Sequence, residues 1–368
     1  MNIKNLDTPA LVLDSEIVIR NLERMQEYAN KANVLLRPHT KTHKMPVLAL
    51  KQLELGANGI AVAKVGEAEV MAVNGITDIF IANEIVGNEK LERIKKLSDI
   101  AEVSFGLDSI PQLKMIEKVF YDSKKPAQVL IEIEVGEDRS GIVTMDAFME
   151  LLLDLKECEF VELKGIFSHD GHSYGATDLN DLKKIHMESQ MRTLEFVGVA
   201  ISMGFKIETV SIGSTPSMMH DLPILSGITE IRPGTYIFMD ASQANSYGSY
   251  EKCAASILAT VMSKPTEERV ILDVGAKGLT TQTRNKGLCT TDGLGRIKRF
   301  AGVTIYDVFD EHAIIYSKEF SNAVKVGDKV EIIPNHICPV VNLHETAYWT
   351  YEGEVIEEIA VECRGKLK

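Results

Sequence analysis

Val34-Leu35-Leu36-Arg37-Pro38-His39-Thr40-Lys41-Thr42-His43-Lys44 runs from a short apolar stretch into a cluster of charge. Val34–Leu36 reads as a buried strand, and the apolar-periodic run from Met45 to Leu55 reads as a helix. Three cations and two histidines are therefore packed into one strand-to-helix corner. Corner geometry does not require that chemistry. A solvated basic loop would also carry it, so the surrounding chain has to decide.

Outward from this corner the chain is rhythmic. Upstream, Thr8–Leu13 reads as a strand that could join either unit of the protein. Asp14 and Ser15 offer an N-cap, and Ile17–Ala32 has one apolar face. Downstream, the strands Gly59–Ala63, Asp78–Ala82, Glu102–Gly106, Gln128–Val135, Leu163–Ser168, Thr209–Gly213 and Glu230–Ile237 follow Val34–Leu36. Helical patterns separate most of them: Met45–Leu55, Gly66–Asn74, Asn88–Leu97, Ser109–Phe120, Met145–Leu155 and Leu182–Met203. Pro216–Ser226 is a short, irregular connection. Eight strands with helical crossovers predict a parallel sheet closed as a (β/α)₈ TIM barrel, with an open doubly wound sheet as the alternative. From about Asp240 the pattern becomes strands and turns: Ala255–Ser263, Arg269–Asp273, Gly302–Asp307, Glu311–Tyr316, Lys329–Pro334 and Tyr351–Ala360. We expect a barrel over residues 10–240 and an all-β domain over 241–368, joined by residues 1–9.

Composition narrows the function classes. The 368 residues are 45% hydrophobic and 25% charged, as in a globular protein, and the formal net charge is −13. An excess of acid speaks against a nucleic-acid partner. The five cysteines, Cys158, Cys253, Cys289, Cys338 and Cys363, are scattered, with no Cys-x-x-Cys pair. Residues 1–7 lack the apolar core of a signal peptide, and no apolar run approaches the length of a membrane span. A cytoplasmic, reducing setting without membrane contact is the expectation.

In a (β/α)₈ barrel the chemistry gathers on the loops after the strands, and the unusual residues fall there. Arg37–Lys44 follows the first strand, Asn83-Glu84 the third and Gly136–Gly141 the fifth. Ser168-His169-Asp170-Gly171-His172-Ser173-Tyr174 follows the sixth, and Gly213-Ser214-Thr215-Pro216-Ser217 the seventh. Arg232-Pro233-Gly234-Thr235-Tyr236 lies in the eighth. Gly213–Ser217 is either a turn with an N-cap or an anion cradle of hydroxyls and free N–H groups. A second Gly and hydroxyl cluster at Gly234-Thr235, on the neighbouring strand, favours a phosphate site. Arg139 reads as a cation suited to bidentate bonding of an anion, or as a surface residue of a tight turn. His169 and His172 flank Asp170 as a plausible pH-tuned pair. In the β domain, His336 and Cys338 are two apart on an expected strand and so share a side. Imidazole and thiolate suit a divalent ion such as zinc, and two ligands leave positions open for water or substrate.

Together these pieces resemble the D-threonine aldolase and D-serine dehydratase group of fold-type III, alanine racemase-like enzymes that use pyridoxal 5'-phosphate (PLP). The matching residues are Arg37–Lys44, Arg139-Ser140-Gly141, Gly213–Ser217, Arg232–Tyr236 and Asn335-His336-Ile337-Cys338-Pro339. The resemblance implies that Lys41 carries the cofactor as a Schiff base; His169 and His172, from their place around Asp170 on the rim, are the acid/base candidates. It implies that Arg139, Tyr174, Ser214, Thr215, Gly234, Thr235 and Tyr236 bind the cofactor. His336 and Cys338 would hold a divalent metal (zinc, manganese or magnesium) in a homodimer acting on a small D-3-hydroxy amino acid. One such site supports retro-aldol cleavage to glycine and an aldehyde, or dehydration to a 2-oxo acid and ammonia. Ala63–Glu69 and Ala82–Gly87 resemble the aldolases, whereas Ser168–Tyr174 resembles the dehydratases. The aldolase is the reading we favour. An amino-acid racemase or a non-catalytic PLP carrier would share the lysine and phosphate clusters but not the metal pair.

Overall fold

The computed structural model describes residues 1–368. The chain begins in its second sheet. β1 (Ala10–Asp14) pairs in parallel with β16 (Thr346–Tyr351) and antiparallel with β10 (Ala255–Ser263). This first strand therefore belongs with the β domain, and the chain enters the barrel after Asp14 rather than at residue 10. Asp14 also caps α1 (Ser15–Ala32), accepting from Ile17 N at 3.1 Å.

The barrel then forms from β2 (Leu35–Leu36), α2 (Pro46–Glu54), β3 (Ile60–Val62), α3 (Val65–Val73), β4 (Asp78–Glu84), α4 (Asn88–Leu97), β5 (Glu102–Leu107) and α5 (Ile110–Phe120). It continues with β6 (Ala127–Ile133), α6 (Met145–Lys156), β7 (Val161–Ser168), α7 (Leu179–Ser202), β8 (Thr209–Ile212), α8 (Thr215–Met219) and β9 (Glu230–Ile231). These eight strands are all parallel, in the order β2-β9-β8-β7-β6-β5-β4-β3. Asn58 N to Leu36 O (2.8 Å) and Ala61 N to Pro38 O (2.9 Å) close the ring between β2 and β3. The expected closed barrel is thus the one formed.

The lumen is layered. At the entry end, Arg37 reaches back to Glu230 (2.7 Å) and Asp78 (2.6 Å), the first residues of β9 and β4. Above them Ala61, Phe80, Leu130 and Phe167 make a separate apolar layer, with the two rings edge to face at 5.1 Å. Arg232 lies over both rings at 5.7 and 5.2 Å and separates that layer from the rim. Its guanidinium donates to Ser211 Oγ (2.6 Å) and Ser168 O (2.8 Å).

The second domain contains α9 (Ala241–Tyr247), β10, β11 (Arg269–Leu272), β12 (Arg296–Ile297), β13 (Asp307–Val308), β14 (Ala313–Tyr316), α10 (Lys318–Ala323), β15 (Lys329–Ile333), α11 (Ile337–Val341), β16 and β17 (Glu354–Ala360). Several expected elements differ. The eighth barrel strand was expected over Glu230–Ile237 but stops at Ile231. Pro233 has no N–H to continue the ladder, and Thr235–Ile237 turns as a 3₁₀ helix. Tyr351–Ala360 is not one strand: Tyr351 ends β16, Glu352-Gly353 turns with positive φ at both residues (47° and 79°), and β17 is the second arm of the hairpin. Of Gly302–Asp307 only Asp307, which opens β13, is in a strand, and the domain has three short helices where only strands were expected. Asn335–Pro339 is among them: His336 is the extended N-cap of α11 and Cys338 lies within its first turn.

Candidate active site

Two lysines of the opening stretch have opposite surroundings. Lys44, held at φ 58°, makes a buried ion pair with Glu67 on α3. Lys41 lies in the 3₁₀ turn Thr40–Thr42 and forms no ion pair. Burial is the main influence lowering its pKa; the Arg139 charge adds to this, and Cys338 opposes it. An amine so placed is easier to deprotonate than a surface lysine, which suits a nucleophile.

Around Lys41 the sequence clusters do converge. His169 leans on Gly213. It is held well below the ordinary imidazole range by burial, then by the charges of Lys41, Arg139 and Arg232. It is therefore held neutral. His172 packs over Gly136, at φ 122°, where a Cβ would lie 2.9 Å from Nε2. Its Nδ1 is buried without a partner. Ser214 Oγ meets Ser173 Oγ at 3.0 Å and Thr215 is buried. The backbone N–H groups of Ser214, Thr215, Gly234, Thr235 and Tyr236 donate to nothing in the protein. The turn Thr235–Ile237 packs against α8, so these free donors form one neighbourhood. A Cβ on Gly234 would come within 2.9 Å of His39 O and 3.0 Å of Thr42 Oγ1. Only glycine leaves that approach open.

Two residues sit differently from expectation. The Tyr236 side chain is fully buried, and its hydroxyl accepts from Gln52 Nε2 on α2 at 2.9 Å. Only its backbone faces the cradle. Arg139 is 51% exposed and faces carboxylates, Glu137 at 3.3 Å and Glu132 at 3.8 Å. Ser140 Oγ also binds Glu132, at 2.7 Å. Beside Glu132, Glu84 is pushed up to about 9 by burial, then by hydrogen bonding to Glu132 and its charge.

The β domain brings its pair to the same rim. Cys338 Sγ lies 3.3 Å from Thr42 Oγ1 and 3.7 Å from Thr235 Oγ1, one residue from Lys41 on one side and within the cradle on the other. His336 Nδ1 meets Gln282 Oε1 at 2.8 Å, leaving Nε2 free for another ligand. Asp240, at the N-cap of α9, accepts from Ile337 N at 3.1 Å and fixes the turn that carries both. The expected strand geometry was wrong, but the pair faces the barrel. No third histidine, cysteine or carboxylate completes a metal-binding group with it. Tyr174 is stacked by Arg284 at 4.2 Å, and burial raises its pKa, keeping the phenol protonated. The motif Arg232–Tyr236 gives Arg232 no role of its own, and no local pattern marks Gln282, Arg284 or Glu132. Gln282 and Arg284 lie in a Thr-, Lys- and Gly-rich stretch that reads as an ordinary loop.

Comparison with known proteins agrees with this arrangement. Residues 13–242 match the alanine racemase N-terminal domain family, and residues 254–350 match a putative serine dehydratase domain. A D-threonine aldolase from Arthrobacter sp. is 31% identical over 98% of this chain and 93% of its own length. The crystal structure of D-threonine aldolase from Filomicrobium marinum superposes with a TM-score of 0.89, at 31% identity, over 99% of this chain and 97% of that one. D-threo-3-hydroxyaspartate dehydratase from Delftia sp. HT23 gives 0.90 at 26% identity, over 98% of each chain. A variant of a D-threo-3-hydroxyaspartate dehydratase has been solved in a metal-free form. No helix of this protein is long and apolar enough to cross a membrane. The chain belongs to the D-threonine aldolase and D-serine dehydratase group of alanine racemase-like, PLP-dependent lyases, a group that acts on D-3-hydroxy amino acids.

Proposed function

We propose that the chain is a D-threonine aldolase-type enzyme that uses PLP and a divalent metal to split a D-3-hydroxy amino acid into glycine and an aldehyde. The observation that carries this reading is the meeting of Lys41's turn with Cys338, at 3.3 Å through Thr42. It puts an unpaired amine, an anion cradle and a two-ligand metal pair on one rim.

The residues fit both groups. Lys41 has no carboxylate partner to displace, and the five free N–H donors suit a phosphate. Arg232, above the apolar layer, and His169, beside Gly213, would flank the group. His336 and Cys338 supply a nitrogen and a sulfur donor, and the remaining coordination positions are left to water or substrate. When bound, PLP supplies an electron sink that makes bonds at the substrate α-carbon labile. A bound divalent ion supplies a Lewis acid for the substrate hydroxyl. The rest is done by the chain. Lys41 holds the cofactor. Ser214, Thr215, Gly234, Thr235 and the Tyr236 backbone bind its phosphate. Neutral His169, with His172 as its neighbour, accepts the β-hydroxyl proton as the Cα–Cβ bond breaks, and a proton returned to the α-carbon completes glycine. Dehydration would instead need an acid for the departing hydroxide. Protonated Tyr174 is the group that favours this second reading.

The protein acts as a homodimer in the cytoplasm on this reading. Its test is product analysis with D-threonine and D-serine. Glycine with acetaldehyde supports the aldolase, 2-oxo acid with ammonia replaces it by the dehydratase, and L-isomer alone replaces it by a racemase.

A further inference from the structure

The loop between β11 and β12 leaves one cation unmatched. Arg284 lies flat against Tyr174, its guanidinium 4.2 Å from the ring centroid. Its Nε is shielded from solvent yet has no hydrogen-bond partner. Its guanidinium belongs to none of the protein's ion pairs or side-chain hydrogen bonds; only its backbone is engaged, with Thr291. The other rim arginines are already satisfied. Arg139 faces Glu137 and Glu132, and Arg232 is bonded to Ser211 and Ser168. Arg284 is half-buried: its Nε is shut off from water without an acceptor, while the rest of the fork stays open to an incoming group. An unpaired buried donor is costly, and a carboxylate is the partner a planar fork fits best.

Position gives the anion a source. Arg284 stacks on Tyr174 of the rim at 4.2 Å and lies two residues from Gln282, which bonds His336 Nδ1 at 2.8 Å, so its loop borders both the rim and the metal pair. Thr291 makes three hydrogen bonds to the Arg284 backbone, and Leu288, which donates to Ala176 O at 2.7 Å, ties the loop to the segment carrying Tyr174. The cation is therefore held in place from two sides. No protein carboxylate supplies its counter-charge, although the chain carries 53 acidic residues.

We infer that Arg284 is the substrate-binding residue that clamps a carboxylate of the amino acid, supplied by the β domain to the barrel's site. This rests on the function proposed above. Two carboxylates qualify, the α-carboxylate that every substrate of the group carries and the side-chain carboxylate of 3-hydroxyaspartate. Bidentate bonding to either leaves the stacking on Tyr174 in place.

The test compares D-threonine with D-threoninol, in which a hydroxymethyl group replaces the carboxylate, on the holoenzyme and on Arg284→Gln. Wild-type turnover of D-threonine tests the underlying function by itself. If Arg284 holds the α-carboxylate, the variant's KM for D-threonine rises about 10- to 100-fold, the loss of a charge-assisted pair, while the inhibition constant of D-threoninol stays put. If it holds the side-chain carboxylate, only D-threo-3-hydroxyaspartate loses affinity. Cofactor absorbance and metal content of the same sample show that the site is intact. Equal weakening of D-threonine and D-threoninol, or no change for any substrate, would overturn the assignment and leave Arg284 as a support for Tyr174. Should Arg284→Gln not retain cofactor, Arg284→Lys is measured the same way. It keeps the charge but loses the fork, and the inference requires the same separation of D-threonine from D-threoninol.

Discussion

Arg37 and Lys41 lie four residues apart and face opposite ends of one barrel. At the entry end, burial works to lower the Arg37 pKa, but the Glu230 and Asp78 carboxylates outweigh it and raise it. At the rim, burial is again the main influence on Lys41, but no bonded carboxylate offsets it, and its pKa falls. The difference is in the partners. The entry end pairs its charges, and pairing makes structure. The rim leaves an amine, an arginine, two imidazole nitrogens and a set of N–H groups unpaired, and such groups are poised to bind something else. Lys44 shows the contrast within a single turn, since its ion pair with Glu67 removes it from chemistry.

This contrast can be broken from either end. The largest effect is expected at Lys41. Lys41→Ala should lower turnover by on the order of 10³-fold or more and abolish covalent cofactor binding while leaving the thermal midpoint nearly unchanged. Near-normal turnover would remove Lys41 from the site. Lys44→Ala should do the reverse: it strands buried Glu67 and should destabilise the fold by ~3–5 kcal/mol, read by denaturant titration, yet the protein should still bind the cofactor covalently. Arg37→Met should resemble Lys44→Ala, because it leaves Glu230 buried without its cation. A loss of turnover without loss of stability there would erase the distinction between the two ends.

Removing the metal sharpens the same picture from the β domain. Chelation should abolish cleavage of D-threonine and divalent ions should restore it; His336→Ala should need far more metal for the same rate, measured by metal titration. Full activity after chelation would exclude the pair from the reaction.

The smallest effect is in the pH dependence of stability. Burial depresses the folded pKa of His43 to about 4, against about 6.5 for the free side chain. The unfolded chain takes up that proton first as the pH falls. The contribution is therefore complete above about 6.5 and lost by about 4. His39 and His169 are depressed in the same direction. The thermal midpoint should fall over this range, and His43→Gln should flatten the fall. An unchanged slope in the variant would contradict the assignment.

The barrel was legible because its strands and helices carry their own periodicity, and because polar clusters at the strand ends repeat on one rim. What local pattern could not supply was set by tertiary contacts. β1 is apolar enough for either domain, and only pairing with β10 and β16 decides its place. Tyr236 sits in a motif that resembles a binding site, yet its hydroxyl is drawn to Gln52. His336 and Cys338 were found for a geometry they do not have. They face Lys41 because α11 begins at His336 and Asp240 pins its first turn. Arg284 was invisible, because a loop reveals which residues it delivers only when its landing place is known.

The central claim, that Lys41 and not Lys44 is the reactive amine, is tested most directly by borohydride reduction of the purified protein followed by peptide mapping. The reduced cofactor should be found on Lys41. A label on Lys44, despite its ion pair with Glu67, would contradict it.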